Sequence, residues 1–345
     1  MTHFATDTSL PVFTAHDVGD VLAAVPTFFG FTPADSFVAL AASGPRHRFG
    51  FRMRFDLVDG IDVGHAAALV AHHLGRNRAD GAILLALTPH RRLGEAMCRA
   101  ALAALPAQIE PVVVAWADGT HYWEPVPGFP AEGIGYEMSP HHLAVVQAVM
   151  AGQEIVADRE TLAARFAGCS GSVAAAMSAV VGEELPRVVS AFGACATDDD
   201  LVGTALADLD PIFAVALADG ERLSDRQVAV ASLWLASAAV RDEVCSRIDR
   251  DHARDWLRLM VDLAGRVVPP FEPSVLSLAG FAAWMVGDGA QALIALDRAI
   301  RADPDHRLTR LLREVVARGI SPDEYQRRCA GDAGLVSAWQ TGSRG

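Results

Sequence analysis

Residues 276–319, LSLAGFAAWMVGDGAQALIALDRAIRADPDHRLTRLLREVVARG, constrain the fold more tightly than any other stretch. The run 276–286 is apolar nearly all round, which suits a helix buried on every side. Gly287-Asp288-Gly289 supplies a turn. Ala292, Leu293, Leu296, Ala299 and Ile300 then repeat at helical spacing, with Asp297, Arg298 and Arg301 on the other side. Pro304 ends that helix, because proline disfavours helical geometry at the residue before it. Leu308, Leu311, Leu312 and Val315 begin another amphipathic helix, and Gly319 closes it.

The small residues Gly280, Ala292 and Ala299, with Leu296 and Pro304, fall at the offsets of a tetratricopeptide unit, a helical hairpin whose small positions allow close packing. One period of ~34 residues earlier, Gly265 and Pro270 fit. Arg258 and Asp262 stand where a small and a large apolar residue belong. One unit is therefore tetratricopeptide-like and a second is degenerate. Gly287 to Ala292 also fits G-x-G-x-x-A, with Asp303 downstream, but a dinucleotide fingerprint needs a strand before it, and the flanking segments read as helix.

The first third has a different grammar. A short helix over 17–25 ends at Pro26. Residues 36–42 and 49–57 read as strands joined through Ser43-Gly44-Pro45. In the second, Phe51, Met53 and Phe55 alternate with Arg52, Arg54 and Asp56, the mark of a sheet wet on one face. Asp62 caps a helix over 62–74 that Gly75 stops. A buried strand at 82–88, a helix at 91–105, a strand at 111–117 and a hairpin through Asp118-Gly119 to 120–123 follow. This order predicts an α/β (or α+β) domain with a mixed sheet and at least one right-handed crossover.

Residues 124–137 are rich in Pro and Gly and carry no periodicity. Beyond them Ser139, with Pro140 after it and Met138 and Leu143 as a staple, predicts a helix start; Asp158 predicts another. The small-residue-rich stretch 168–192 reads as partly helical. A capping box at Ser224-Asp225-Arg226-Gln227 starts a helix containing Trp234, and residues 255–267 form one more before Pro269-Pro270. Arg241-Asp242 is expected as an ion pair between helical segments. The expected organisation is an α/β domain over 1–135, a helical connector over 136–200, an all-helical, partly tetratricopeptide-like domain over 201–328, and a flexible tail over 329–345.

Composition excludes several chemistries. All 29 basic side chains are arginine. A chain without lysine cannot be a P-loop NTPase with its own Walker A lysine, a Schiff-base or pyridoxal-phosphate enzyme, or an ordinary protein kinase. The net charge of −13 argues against nucleic acid or an anionic membrane as the main partner. No apolar run approaches the ~20 residues of a membrane span. The N-terminus lacks the features of a signal peptide, so a cytoplasmic location is expected. Cys98, Cys169, Cys195, Cys245 and Cys329 are scattered without a C-x-x-C pair, which favours buried or spare thiols over a disulfide or zinc framework.

No complete catalytic or metal-binding constellation is present. His65, His72 and His73 share a helix without the H-E-x-x-H spacing, and the His141-His142 pair reads as structural. Gly168-Cys169-Ser170-Gly171 lacks the spacing of a nucleophile elbow. The best ligand candidate is the loop Pro89-His90-Arg91-Arg92. It follows a buried strand and opens a helix, where free N–H groups and guanidinium groups favour an anion. A solvated helix start is the competing explanation. Asp118, Trp123, Glu132 and Arg159 are secondary candidates because they flank the irregular segment. Whether Arg91 and Trp123 share a crevice depends on strand order.

VLAAVPTFFGFTPADSFVAL, SPHHLAVVQAVMAG with ADRETLAARF, WLASAAVRDEV, and AGFAAWMVGDGAQALIALDRAIRADPDHRLTRLL together make the chain resemble the actinobacterial DUF4192 family, a domain of unknown function. The resemblance touches most of residues 18–325 and implies a bacterial context and a long α/β-plus-helical unit. It brings no activity. The resemblance implies a motif here, because many members of that family have a cysteine-rich segment ending in Cys-Cys-Pro-x-Glu-Gly after the last hairpin. Here Pro130-Ala131-Glu132-Gly133 keeps the end of that motif and the cysteines are gone. Two functions are consistent with these features, beside a duller third, a structural oligomer that uses the Ala-rich helices. One is a non-enzymatic interaction or regulatory module whose helical C-terminal domain binds a protein or peptide, with no cofactor. The other is an enzyme or sensor for an anionic small molecule, using the α/β domain.

Overall fold

A computed structural model describes residues 14–44 and 48–331. The expectations for residues 1–13, the Pro45 turn tip and most of the 329–345 tail lie outside the described residues, as does the side chain of Cys329. The chain forms two compact units, Met1–Arg159 and Glu160–Gly345.

The first unit is built on a six-stranded mixed sheet. Its strands are β1 (Ser36–Ser43), β2 (Arg48–Asp56), β3 (Gly81–Leu87), β4 (Glu110–Ala117), β5 (His121–Trp123) and β6 (Ile134–Gly135), in the order β2-β1-β3-β4-β5-β6. Only β3 and β4 are parallel, joined by α3 (Arg91–Ala104); the remaining neighbours are antiparallel. Helix α2 (Val63–Arg76) begins at Asp62, whose carboxylate accepts the His65 N–H. It runs through Gly75 to Arg76 and ends at Asn77, because Gly75 does not adopt the left-handed conformation with which a glycine stops a helix.

Alternation along the strands divides the sheet into two buried faces. Phe37, Leu84, Ala86, Val114 and Trp116 pack with Val70, Leu74, Met97 and Cys98 of α2 and α3. Val38, Leu40, Ile83, Leu85 and Ala115 are buried on the other face. There α1 (Val18–Phe29) crosses the strands: Phe28 meets Phe49 of β2, with ring centroids 5.1 Å apart, and Gly19 lies against Tyr136 beyond β6. The helix does not stop at Pro26. The proline costs one hydrogen bond, but the continued turn buries Phe29 and ends at Gly30, whose φ of 72° suits a left-handed cap.

Residues 136–159, expected to begin a connector, belong to this first unit. Helix α4 (Leu143–Met150) starts four residues after Ser139, which instead makes a turn accepting the His141 N–H. Gln153 donates to Thr27 O at 2.5 Å and Val156 to Gly30 O at 2.9 Å, tying the segment to α1.

The second unit is helical: α5 (Arg159–Ala164, whose first residue closes the first unit), α6 (Gly171–Ala194), α7 (Asp198–Asp219), α8 (Asp225–Leu235), α9 (Ala238–Ser246), α10 (Ala253–Ala264), α11 (Glu272–Val286), α12 (Gly289–Ala302), α13 (Arg307–Ala317) and α14 (Pro322–Gly331). Helix α11 is its centre. Every residue from Pro273 to Met285 is buried, against α8, α9, α10, α12, α13 and α14. At about 1.5–3 kcal/mol per fully buried large apolar side chain, this one helix contributes a large share of the unit's burial energy.

Helices α11 and α12 form a close hairpin. A Cβ at Gly280 would lie 2.7 Å from Leu296 Cγ, so only glycine fits the crossing. Gly287 caps α11 with φ 88° and Asp288 caps α12. The G-x-G-x-x-A match thus falls on a helix–turn–helix, with no strand before it, and carries no dinucleotide site. The capping box at Ser224 and Gln227 forms. Arg241 and Asp242 pair at 3.0 Å within α9 itself, not between helices. The link to another helix is from Arg241 Nη1 to His306 Nε2, 3.0 Å away.

Helix α7 was not evident from periodicity. By length and composition alone Asp198–Ala218 is long and apolar enough to cross a membrane. Its mid-helix carboxylates have partners in the protein: Asp208 accepts from Arg187 and from Trp234 Nε1, both at 2.8 Å, and Asp210 pairs with Arg247 at 2.7 Å.

Candidate functional site

The parallel strands β3 and β4 end at a rim where the chain twice leaves the sheet. Thr88, just past β3, is buried; its N–H donates to Ala117 O at 2.9 Å and its hydroxyl to Asp35 Oδ1 at 2.7 Å. Asp35 adopts φ 41°, a left-handed conformation that aspartate tolerates better than most residues. His90 precedes α3 without capping it by its side chain, and its own N–H donates to Thr88 Oγ1.

Arg91, in the first turn of α3, is held in two ways. Its Nε donates to Glu95 at 2.8 Å, and its guanidinium lies 5.9 Å from the Trp116 ring centroid. Trp116, near the end of β4, donates from Nε1 to Thr88 O at 2.6 Å. Its ring fills the space over Gly94, where a Cβ would come within 2.1 Å. Trp116 and Trp123 are cross-strand partners, and their rings stack at 4.1 Å and 18°. Trp123 in turn donates to Ala131 O and packs on Gly133, whose φ of 79° and missing Cβ allow the approach. Arg91, Trp116, Trp123 and Gly133 therefore form one continuous stack that pins the 124–133 loop to the sheet.

The stack accounts for two of the seven candidate residues directly. Arg91 and Trp123 do meet, through Trp116. Glu132 is exposed beside the pinned backbone, and His90 and Arg92 are exposed at the helix start. Asp118 serves the β4–β5 turn, accepting from Thr120 N, Thr120 Oγ1 and His121 N at 2.7–2.9 Å. Partial burial works to raise its pKa, but those donors outweigh it and hold the carboxylate below the usual range. An acceptor so occupied is a poor general base.

Arg159 stands apart. It lies near Arg54, which is bonded to Ser36 Oγ and Asp56 and sits over Phe31. Burial lowers the Arg54 pKa; Asp56 opposes this and the Arg159 charge adds to it. Arg54 pairs with Val38, whereas Trp116 is in register with Ala86 and Phe37, so Arg54 and Trp116 occupy opposite faces. Arg159 is thus separated from Arg91 by the sheet.

No motif in the sequence singles out Trp116, Thr88 or Asp35. For Trp116 the obstacle is the turn: a two-residue Asp118-Gly119 turn would set it opposite His121, whereas the chain turns over 118–121, with the Asp118 N–H donating to His121 O, and so sets it opposite Trp123. Thr88 and Asp35 depend on β1 lying beside β3, which no local pattern reveals.

The other candidates are structural. His73 is buried with its ring 5.9 Å from Phe51, and burial lowers its pKa. Burial pushes the Cys98 thiol up to about 12, so it is not a thiolate at neutral pH. Ser170 precedes a helix, and Cys169 donates to Arg266 O. Among the described residues no group of three or more His, Cys, Asp or Glu side chains could hold a metal ion. The rim thus offers fixed positive charge and exposed donors, without a nucleophile–base pair.

Comparison with known proteins adds a family. A model described as a domain of unknown function (DUF4192) matches residues 19–323. No curated protein and no solved structure matches the chain.

Proposed function

Because the chain belongs to the DUF4192 family, for which the description names no reaction, we propose a function from the surface itself: a non-enzymatic protein-interaction or regulatory module, acting in a bacterial cytoplasm. The observation that carries this reading is the outer face of α6. Leu185, Val189 and Phe192 follow one another at helical spacing and are 40%, 58% and 48% exposed. Contiguous exposed apolar side chains on a folded surface mark interaction sites more often than isolated ones do. The tetratricopeptide-like hairpin plays a different part in this reading. Its first helix, α11, is buried throughout, so it serves as a packing core while α6 meets the partner.

The test is affinity capture with tagged full-length protein beside a Val189→Arg variant. A stoichiometric partner held by the wild type and released by the variant is expected. Identical captures from both would sink the assignment of α6.

A second reading has its own observation. Arg91, fixed by Glu95 and Trp116 beside exposed Arg92 and His90, suits the phosphate or carboxylate of a small metabolite, as in an anion sensor or enzyme. Thermal stabilisation by an anionic metabolite, lost in the Arg91→Gln/Arg92→Gln double variant, would support it; no shift with any anionic metabolite tested would remove its basis.

A further inference from the structure

The exposed face of α6 is complementary to itself. Ala174, Ser178, Gly182, Leu185, Val189 and Phe192 succeed one another at spacings of four, four, three, four and three, so they form one stripe along the helix, half-buried at Ala174 and exposed at the other five. The first three are small and the last three are large. On an antiparallel copy of the same helix, centred on the Glu183–Glu184 bond, Leu185 falls opposite Gly182, Val189 opposite Ser178, and Phe192 opposite Ala174 and Ala175. Large side chains meet small ones at both ends, the arrangement that lets helices interdigitate.

Charge points the same way. Two copies carrying −13 each repel, so self-association needs a face that brings no like charges together. The stripe and the exposed positions beside it, Ala175, Ala179, Pro186, Ser190 and Gly193, are all uncharged. Glu184 turns inward, paired with Arg226 at 2.7 Å and Arg187 at 3.2 Å, and Arg187 also reaches Asp208. Glu183, two residues before Leu185, projects to the other side of the helix.

We propose that α6 is the contact helix of a symmetric homodimer, packed antiparallel against α6 of a second copy about an axis beside the Glu183–Glu184 bond. This rests on the interaction reading of α6 given above and adds the identity of the partner. The area sets the expected strength. A helix of 24 residues is ~36 Å long and ~10 Å wide, which provides less than the ~800 Å² per partner of a standard stable interface. The dimer is therefore weak and reversible, and the Kd to look for lies between about 1 and about 100 µM.

The test is sedimentation of the full-length chain from about 1 to about 100 µM, a span that brackets such a Kd, using Ser178→Asp and Val189→Arg variants. Both positions are exposed, so unchanged circular dichroism is expected. Each variant alone should weaken the dimer at least ~10-fold, since it places a charge against an uncharged residue twice. Mixed in equal amounts, they should associate again, because Asp at 178 of one copy then faces Arg at 189 of the other while the opposite end keeps its native pair. Amide exchange in α6 of the wild type should also slow between the two concentrations. A wild type that stays monomeric with concentration-independent exchange, or variants that fail to associate on mixing, would overturn the dimer. If the wild type is monomeric but still captures another protein through Val189, the homodimer fails and the interaction reading stands. If it does neither, both fail.

Discussion

Gly94 and His306 show how single positions carry the two units. Trp116 lies over Gly94 and cannot retreat, because Trp123 stacks on it and its Nε1 is bonded to Thr88 O. Gly94→Ala should therefore cost about 1–3 kcal/mol through overpacking, read as a lower urea midpoint together with altered tryptophan emission. An unchanged midpoint would mean that the stack yields. The partners of His306 hold its ring neutral. Arg241 has no acceptor, so His306 Nε2 must accept from it, leaving Nδ1–H to donate to Thr309 Oγ1 at 2.7 Å. Burial and then the Arg241 charge lower its pKa to about 4, against the attraction of Asp303 and Asp242. The folded state thus binds fewer protons than the unfolded chain between about pH 4 and 6.5. This contribution is fully present above pH 6.5 and is lost as pH falls toward 4. Allowing for solvent screening of a partly exposed ring, it is on the order of 1–2 kcal/mol. The wild type should lose more stability than His306→Gln between pH 7 and pH 5 in urea titrations; parallel losses would refute the linkage.

At the level of elements, Gly280 and Leu296 set the α11–α12 crossing. Gly280→Ala should destabilise by about 1–3 kcal/mol and Leu296→Ala by about 2–5 kcal/mol. The double variant should cost less than their sum, because the second substitution clears the space the first invades. Additive losses in a double-mutant cycle would show that the two residues do not share a packing constraint. These elements were readable from sequence because their signals are local: Ser224 with Gln227, Gly287 after an apolar run, Asp62 before a helix, Asp118-Gly119 between strands. Helix α7 was hidden because Asp208, Asp210 and Pro211 interrupt its apolar pattern, and their acceptability depends on Arg187, Trp234 and Arg247 on other helices. The rim shows the same division. Arg91 and Trp123 were visible as a helix start and a hairpin end, whereas the Thr88–Asp35 bond needed the sheet order and the exclusion of Arg159 needed the assignment of faces.

Across the whole molecule, the two units have separate cores, one around the sheet and one around α11. Thermal unfolding followed by calorimetry should resolve two transitions. Gly94→Ala should lower one and Gly280→Ala the other, while a single transition moved equally by both would show that the units melt together. The position of α11 has a further consequence for how the second unit is made. Its centre is encoded after α6 to α10, so those helices leave the ribosome with apolar faces whose filler has not yet been synthesised. Until residue 286 emerges, those helices form a shell without a kernel. A message cut short before that point yields an open, sticky product for chaperones or proteases to clear, and the α11–α12 hairpin fills the unit that the earlier helices have outlined.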